Sequence, residues 1–162
     1  MEYIDATFFS GSECPTSGLI CEVENACQHQ LLLPVPYFLL TFTLPAELRA
    51  LAYRHQRIVY NLLFHALAAA LMELARDPRF LGAQIGLLGV LQTWTRDLRY
   101  HPHIHYLVPG GGLASDGRSW VTTKADFLVH VKPLAALFRA KLRAALHQTV
   151  LWTEIPAYSS AR

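Results

Sequence analysis

Apolar residues follow two different periodicities along this chain, and each periodicity predicts an element. From Leu31 the segment LLLPVPYFLLTFTLP is rich in aromatic and β-favouring residues, and its two early prolines confine a strand to about Tyr37–Thr43. After Pro45, apolar residues recur at helical spacing on largely one face until Pro78, where a helix should end. The pattern predicts a buried strand followed by a long amphipathic helix.

The second half of the chain reads as strands followed by one more helix. The run IGLLGVLQTW has glycines and β-favouring residues and is predicted to be a strand, while TRDLRYHP is polar and is predicted to be a connection. HIHYLVP reads as a strand ending at Pro109, and Asp116-Gly117 is a hairpin signal before the returning strand SWVTT. An amphipathic helix follows Pro133. The predicted fold class is α+β, with an antiparallel sheet that carries a His-x-His strand and packs with two main helices.

The composition indicates one compact domain with poorly ordered termini. The chain has 162 residues, of which 52% are hydrophobic and 16% charged, and its net charge is +2, so a packed core is expected and a polyanionic partner is permitted but not demanded. Residues 1–30 show no useful periodicity and are expected to form a divergent, poorly ordered segment. Residues 31–155 are the expected domain, and residues 156–162 an expected frayed tail.

Membrane insertion and secretion are not expected. The most apolar stretch, Ile58–Ala75, contains Asn61, His65 and Glu73 and is flanked by arginines, which favours a core helix over a spanning one. The N-terminus has neither a basic region nor a continuous apolar run. We therefore expect a cytoplasmic protein that has no membrane partner.

Three cysteines lie close together near the N-terminus: Cys14, Cys21 and Cys27. An odd number without a signal peptide argues against a disulfide framework. Six and five residues separate them in turn, whereas zinc ligands usually pair with two to four residues between them. The spacing does not favour a zinc site, and their role stays open.

The candidate chemistry lies in the sequence HPHIH. In a strand, His103 and His105 project from the same face while Ile104 turns into the core, so two imidazoles about 6–7 Å apart can hold one metal ion. His101 precedes a proline and is expected at the strand entrance. A metallo-β-lactamase would need HxHxDH and a cupin a nearby glutamate, and neither is present. A pair of solvated surface histidines stays an alternative.

Several segments together resemble the transposases of two-tyrosine rolling-circle insertion sequences, which belong to the HUH superfamily. In chain order they are LPVPYF, TFTLPAEL, LGAQIG, TW, HPHIH, VPGGGL and FRAKLRAAL, spread over about Leu31–Ile155. The resemblance implies that His103 and His105 bind a divalent ion, Mg²⁺ or Mn²⁺, and that a tyrosine attacks the DNA and joins its 5′ end. It implies DNA transposition and recombination by cleavage of single-stranded transposon ends.

Two imidazoles do not suit a hard cation fully, so a third, oxygen-bearing ligand is expected. Gln92 and Asp97 are the nearest candidates, with Asp97 favoured as a turn residue. Around Trp94, Arg96, Arg99 and Tyr100, aromatic and basic residues alternate as on a base-stacking surface, and an exposed amphipathic loop is the equal alternative.

The chain departs from the family pattern at several points. The family tends to have LHTWGQNL and PYFH where this chain has LQTWTRDL and Phe38-Leu39, and its cysteine-rich zinc module has no counterpart in residues 1–30. No tyrosine here matches the nucleophile motif, which in the family lies beyond the equivalent of residue 162; Tyr158 in the tail is the residual candidate. We therefore expect a truncated copy that is inactive alone.

Three alternatives remain beside an inactive transposase copy. They are a non-catalytic remnant, a small domain that binds single-stranded DNA or metal, and an unrelated small metal enzyme. A truncated sheet would also expose an edge through which the chain could self-associate.

Overall fold

The computed structural model describes the backbone of Ile4–Phe9, residues 33–124 and residues 128–155. The three cysteines and Tyr158 lie outside these residues, as does the rest of the predicted tail. Ile4–Phe9 is a strand, β1, so the expectation of no regular element before residue 31 is wrong for these six residues. The sequence IDATFF does alternate, but over too short a run to stand out.

A four-stranded antiparallel sheet forms the centre of the fold, with strand order β1-β2-β4-β3. Strand β2 is Tyr37–Thr43, β3 is Leu88–Trp94 and β4 is Tyr100–Pro109. The sequence prediction for β2 is confirmed to the residue. A separate hairpin pairs β5, Gly111–Leu113, with β6, Trp120–Thr122. It turns at Gly117, whose φ of 65° suits glycine, as the Asp116-Gly117 signal predicted.

Helices cover one face of the sheet. They are α1 (Ala46–Arg54), α2 (Gln56–Arg76), α3 (Val131–His147) and a closing 3-10 helix, Val150–Glu154. The α+β class is confirmed. Phe42 of β2 makes an edge-to-face contact with Phe138 of α3, and Tyr106 of β4 does the same with Phe64 of α2. The fully buried side chains between helices and sheet include Phe42, Leu44, Leu63, Leu67, Leu71, Pro102, Ile104, Val108, Leu134 and Leu151.

The predicted single helix between Pro45 and Asp77 is two helices. His55 separates them with φ −125° and ψ 46°, outside the helical region, and its carbonyl accepts the first hydrogen bonds of α2. No proline or glycine marks the break, so local sequence could not reveal it. The His55 ring instead contacts the Glu154 carboxylate 99 residues later, at 3.1 Å.

Strand β4 begins earlier than predicted. Tyr100, His101 and Pro102 were assigned to a connection, but they belong to the strand. Gln92 pairs with His103 while Trp94 pairs with Tyr100, so His101 and Pro102 together stand opposite one residue of β3. Such a bulge leaves a residue outside the ladder, which is where a proline without an N–H is tolerated. The Pro102 carbonyl accepts a hydrogen bond from Leu44 N–H at 3.0 Å.

Helix α2 is long and apolar enough to cross a membrane by length and composition alone. One face of it is buried in the protein, where seven of its residues form part of the core: Val59, Leu63, Ala66, Leu67, Ala70, Leu71 and Ala75. The polar residues noted in the sequence, His65 among them, lie elsewhere on the helix. This arrangement is that of a core helix packed against a sheet.

Candidate metal centre

The histidines of β4 project from the sheet face opposite the helices. Ile104 is fully buried among the core residues, and because strand side chains alternate, His103 and His105 share the other face. Their ring centroids lie 4.9 Å apart at an interplanar angle of 85°. The predicted placement, side by side on a sheet strand, is confirmed. Their role as metal ligands remains a prediction.

Each histidine is oriented by a hydrogen bond through its Nδ1 atom. His103 Nδ1 lies 2.7 Å from the His101 carbonyl oxygen, which can only accept, so Nδ1 carries the proton and Nε2 has a free lone pair. His105 Nδ1 lies 2.9 Å from Thr41 Oγ1 on β2. When the threonine hydroxyl accepts, the Nε2 atom of His105 is likewise left free. This is how metal-binding histidines are commonly held in one tautomer.

Gln92 brings an oxygen to this pair. It lies directly opposite His103 in the ladder, and its Oε1 is 3.1 Å from His103 Nε2. With the Nδ1 atom protonated, both facing atoms are acceptors, so either the amide turns its nitrogen inwards or the two atoms share a cation. Two neighbouring ligands about 2.1 Å from an octahedral ion are themselves about 3.0 Å apart. The observed separation fits that geometry.

The pKa values favour neutral imidazoles. Burial lowers the pKa of His105 below its usual range, and the neighbouring His103 adds to the effect. Burial likewise lowers the pKa of His101, helped by Arg49, His103 and Arg99. Only a neutral imidazole offers a lone pair to a metal. The lowered pKa of His105 therefore favours the form of that ring that can bind a metal.

The other expected oxygen ligand does not join the site. Asp97 is exposed in the turn between β3 and β4 and pairs with Arg99 at 2.5 Å, as expected of a turn residue. Within residues 33–124 and 128–155, no three His, Cys, Asp or Glu side chains come together as a metal cluster. No carboxylate among the described residues therefore joins the histidine pair, whereas the Gln92 amide oxygen lies beside His103.

The predicted base-stacking residues divide into two groups. Trp94 and Tyr100 face each other at the ends of β3 and β4, with ring centroids 5.8 Å apart and Trp94 54% exposed. Arg96 and Arg99 lie exposed in the turn that joins the strands. The structure thus brings all four to one end of the sheet, adjoining His101.

Four residues near the candidate site were not identified from the sequence. Thr41, Arg49, Tyr53 and Tyr60 come from β2, α1 and α2, far from HPHIH in sequence. The hydroxyls of Tyr60 and Tyr100 lie 2.6 Å apart, and the Tyr53 and Tyr100 rings meet edge to face at 5.2 Å. Only the alternation of β2 hinted at Thr41, and its partner depends on a register that one sequence does not show.

Comparison with known proteins identifies the relatives of this chain. Residues 86–161 match a family described as "Putative transposase". A Sinorhizobium fredii protein named "Putative transposase y4qJ" is 48% identical over 108 residues, which make up 67% of this chain and 27% of that protein. This chain is related to insertion-sequence transposases. The "Transposase for insertion sequence element IS801" of Pseudomonas savastanoi pv. phaseolicola is 32% identical over 138 residues, 76% of this chain and 32% of that protein.

The resemblance predicted from the sequence is therefore confirmed, and the chain spans 27% and 32% of these two transposases. The fold agrees with it. Two structures of the conjugative relaxase TrwC in complex with oriT DNA, one copper-bound and one metal-bound, superpose with TM-scores of 0.54 and 0.53. They are 21% identical and cover 69% of this chain and 42% and 43% of the relaxase chains. The predicted HUH-like fold is confirmed.

Proposed function

We propose that this chain contributes the metal-binding strand of a rolling-circle transposase, which cleaves and rejoins single-stranded DNA. One observation carries the proposal: His103 and His105 lie side by side on the central strand, with an amide oxygen 3.1 Å from His103 Nε2. The transposase relatives and the metal-bound relaxases of the same fold support it.

The donor set suits a divalent cation of intermediate hardness. His103, His105 and Gln92 offer two imidazole nitrogens and one amide oxygen, with positions left for water and a phosphate oxygen. Mn²⁺ accepts imidazole more readily than Mg²⁺ does, so we infer a preference for Mn²⁺ over Mg²⁺. When bound, the cation would act as a Lewis acid on the scissile phosphate.

The surrounding residues prepare the ligands. Thr41 holds the His105 ring, and the His101 carbonyl holds the His103 ring, so neither imidazole must reorient when a substrate arrives. Burial lowers the pKa of His105 and so favours the neutral form of its ring. Both rings are partly exposed, as contact with a single strand of DNA requires.

The tyrosine nucleophile is not among the well-packed tyrosines of the fold. Tyr106 is buried, its hydroxyl donates to the Phe64 carbonyl at 3.1 Å, and burial raises its pKa to about 12. Tyr60 and Tyr100 bond to each other, and burial raises the pKa of Tyr100 further. A proton held this tightly does not leave readily, so we infer that neither Tyr106 nor the Tyr60–Tyr100 pair supplies the nucleophile.

A metal titration tests the proposed site. Wild type is compared with the His103→Ala/His105→Ala double variant and with Gln92→Leu, using Mn²⁺ and Mg²⁺ in a calorimeter. We expect the double variant to lose Mn²⁺ binding and Gln92→Leu to weaken it about tenfold or more. His65→Ala is the matched control, because His65 is exposed on α2. Equal Mn²⁺ affinity in the wild type and the double variant would rule out a metal centre at these histidines.

We propose further that Trp94, Arg96, Arg99 and Tyr100 contact single-stranded transposon ends. Exposed aromatic rings stack on unpaired bases and arginines follow the backbone, without needing duplex structure. Binding should therefore favour an unpaired oligonucleotide over the same sequence as a duplex. In a cleavage assay with Mn²⁺, we expect this chain alone to form no covalent DNA adduct. That outcome, with binding retained, would also fit the alternative of a non-catalytic domain.

The outer edge of β3 suggests self-association. Within the described sheet, β3 has a partner on one side only, and Leu88 and Val90 on this strand are 63% and 53% exposed. Unpaired, apolar edges invite strand pairing. We propose that two copies associate along β3, and light scattering should show a dimer that Val90→Lys dissociates. A monomeric wild type would rule this out.

A further inference from the structure

An open cleft lies at the end of the sheet where β4 begins. It is lined by Arg49, Ala50, Tyr53 and Arg54 of α1 together with Tyr100 of β4, and its volume is about 510 Å³. The cleft is open to solvent on most of its sides, so a ligand would lie against its wall and would not be enclosed. Its exposed lining is almost entirely apolar, which suits a stacked base, and the two arginines among the lining residues bring positive charge close to it.

The aromatic wall of the cleft is held rigidly. The Tyr100 ring is fixed by the 2.6 Å contact of its hydroxyl with Tyr60 and by edge-to-face contacts with Tyr53 and Trp94. Tyr53 is 60% exposed although it touches this fixed ring. A face that is already ordered loses little entropy when a base stacks on it.

Arg49 also lines the cleft, and it forms no ion pair with the described residues. Its Nε atom is buried without a hydrogen-bond partner among the described residues, so a phosphate in the cleft would be contacted through the terminal nitrogens of the guanidinium. Arg54, by contrast, is 3.5 Å from Glu154, with its side chain 59% exposed. Arg49 is therefore the stronger candidate for a phosphate contact.

The cleft adjoins the candidate metal centre through His101. Tyr100 lines the cleft and is followed directly by His101 in β4, and the His101 ring centroid is 5.6 Å from that of His103. The histidines lie on the sheet face opposite the helices, and α1 lies on the covered face. A DNA strand that contacts both would therefore pass around this end of the sheet at His101.

We propose that this cleft binds one nucleotide of single-stranded DNA beside the scissile position, with its base on Tyr53 and its phosphate on Arg49. The inference rests on the proposed handling of single-stranded DNA and adds a defined subsite for it. The cleft anchors the strand and fixes which phosphate faces His103 and His105. Arg49 and Tyr53 are therefore positioning residues.

Anisotropy of a fluorescent oligonucleotide of about 12 nucleotides, spanning one binding site of usual size, tests the proposal. A chelator is present, so that binding does not depend on the metal centre. We expect Tyr53→Ala to weaken binding about 5- to 150-fold and Tyr53→Phe to restore it. Arg49→Gln should reduce the slope of log affinity against log salt by about 0.7, whereas Arg49→Lys should keep it.

Two further controls distinguish base stacking from nonspecific electrostatic binding. An oligonucleotide with abasic sites should bind wild type and Tyr53→Ala equally, because no base is there to stack. Arg143→Gln removes the same charge on the exposed side of α3 and should leave affinity within about twofold. Thermal melting of each variant confirms that it is folded.

The outcomes distinguish this inference from the proposed function. If wild type binds the oligonucleotide while Tyr53→Ala and Arg49→Gln bind it equally well, the cleft is not a nucleotide subsite, although DNA binding stands. If wild type binds no oligonucleotide, both ideas fail. If Arg143→Gln weakens binding as much as Arg49→Gln, only overall charge matters, and the subsite is overturned.

Discussion

Replacing Thr41 with valine removes one hydroxyl from the candidate metal centre and changes little else. Valine has nearly the same shape and favours a strand equally. The lost contact is the 2.9 Å hydrogen bond to His105 Nδ1. Without it, the His105 ring is free to rotate and to exchange tautomers, so the Nε2 atom is no longer held ready for a cation.

The size of the effect follows from the geometry. The bond has ordinary length and is partly buried, so its removal should cost about 1 kcal/mol of unfolding free energy. Groups that orient metal-binding histidines typically change metal affinity by about 10- to 100-fold. Because the bond is neutral and His103 retains its own support, we expect the lower end, about tenfold weaker Mn²⁺ binding.

Calorimetry with Mn²⁺ measures the affinity, and NMR of the imidazole nitrogens reports the His105 tautomer. The control is Thr43→Val, the same change two residues along the same face of β2. The reasoning is refuted if Thr41→Val binds Mn²⁺ within twofold of wild type, or if Thr43→Val loses as much affinity. Tautomer populations unchanged by Thr41→Val would also contradict it.

Three more predictions concern stability. A Cβ atom on Gly89 would lie 2.6 Å and 2.9 Å from aromatic carbons of β4 and α2, whereas one on Gly86 would meet nothing within 4 Å; Gly89→Ala should cost about 1–3 kcal/mol in urea unfolding and Gly86→Ala almost nothing. The pKa values of His101 and His105 are lowered in the fold, so the unfolded chain binds more protons and metal-free stability should fall as pH drops below about 6.5. A double His101→Asn/His105→Asn variant should lack that decline; equal slopes would disprove the assignment. Leu98 has φ 59° and is 79% exposed, so Leu98→Asn should raise the unfolding free energy by about 0.5–1 kcal/mol, and a lower melting temperature would count against backbone strain.

Most of the fold could be predicted from the periodicity and the turn residues of the sequence. Strand β2 and the end of α2 were predicted because prolines restrict the backbone locally, at Pro36 and Pro78. The errors arose where distant parts of the chain decide. The helix break at His55 coincides with a contact to Glu154, 99 residues later in the chain, and Pro102 lies in a bulge of β4, where no N–H donor is needed.

Of the candidate site, only residues of the β3–β4 hairpin could be predicted from the sequence. His103 and His105 follow from alternation, and Gln92 from its place just before the turn. Thr41 required the register of β2 against β4, which pairs residues 64 positions apart. To predict the cleft, one would need to know that α1 lies beside Tyr100. Helix packing of this kind cannot be inferred from the local sequence.

The order of folding follows from how the strands of the candidate metal centre are paired. Gln92 and His103 are 11 residues apart in one hairpin, whereas Thr41 and His105 are 64 apart. Closing the longer loop costs roughly 1.5 kcal/mol more entropy, and hairpins form within about 1–10 μs. The half of the centre formed by Gln92 and His103 should therefore assemble first. If a cation binds this half, it will speed refolding, whereas a cation that also needs Thr41 in place will only slow unfolding.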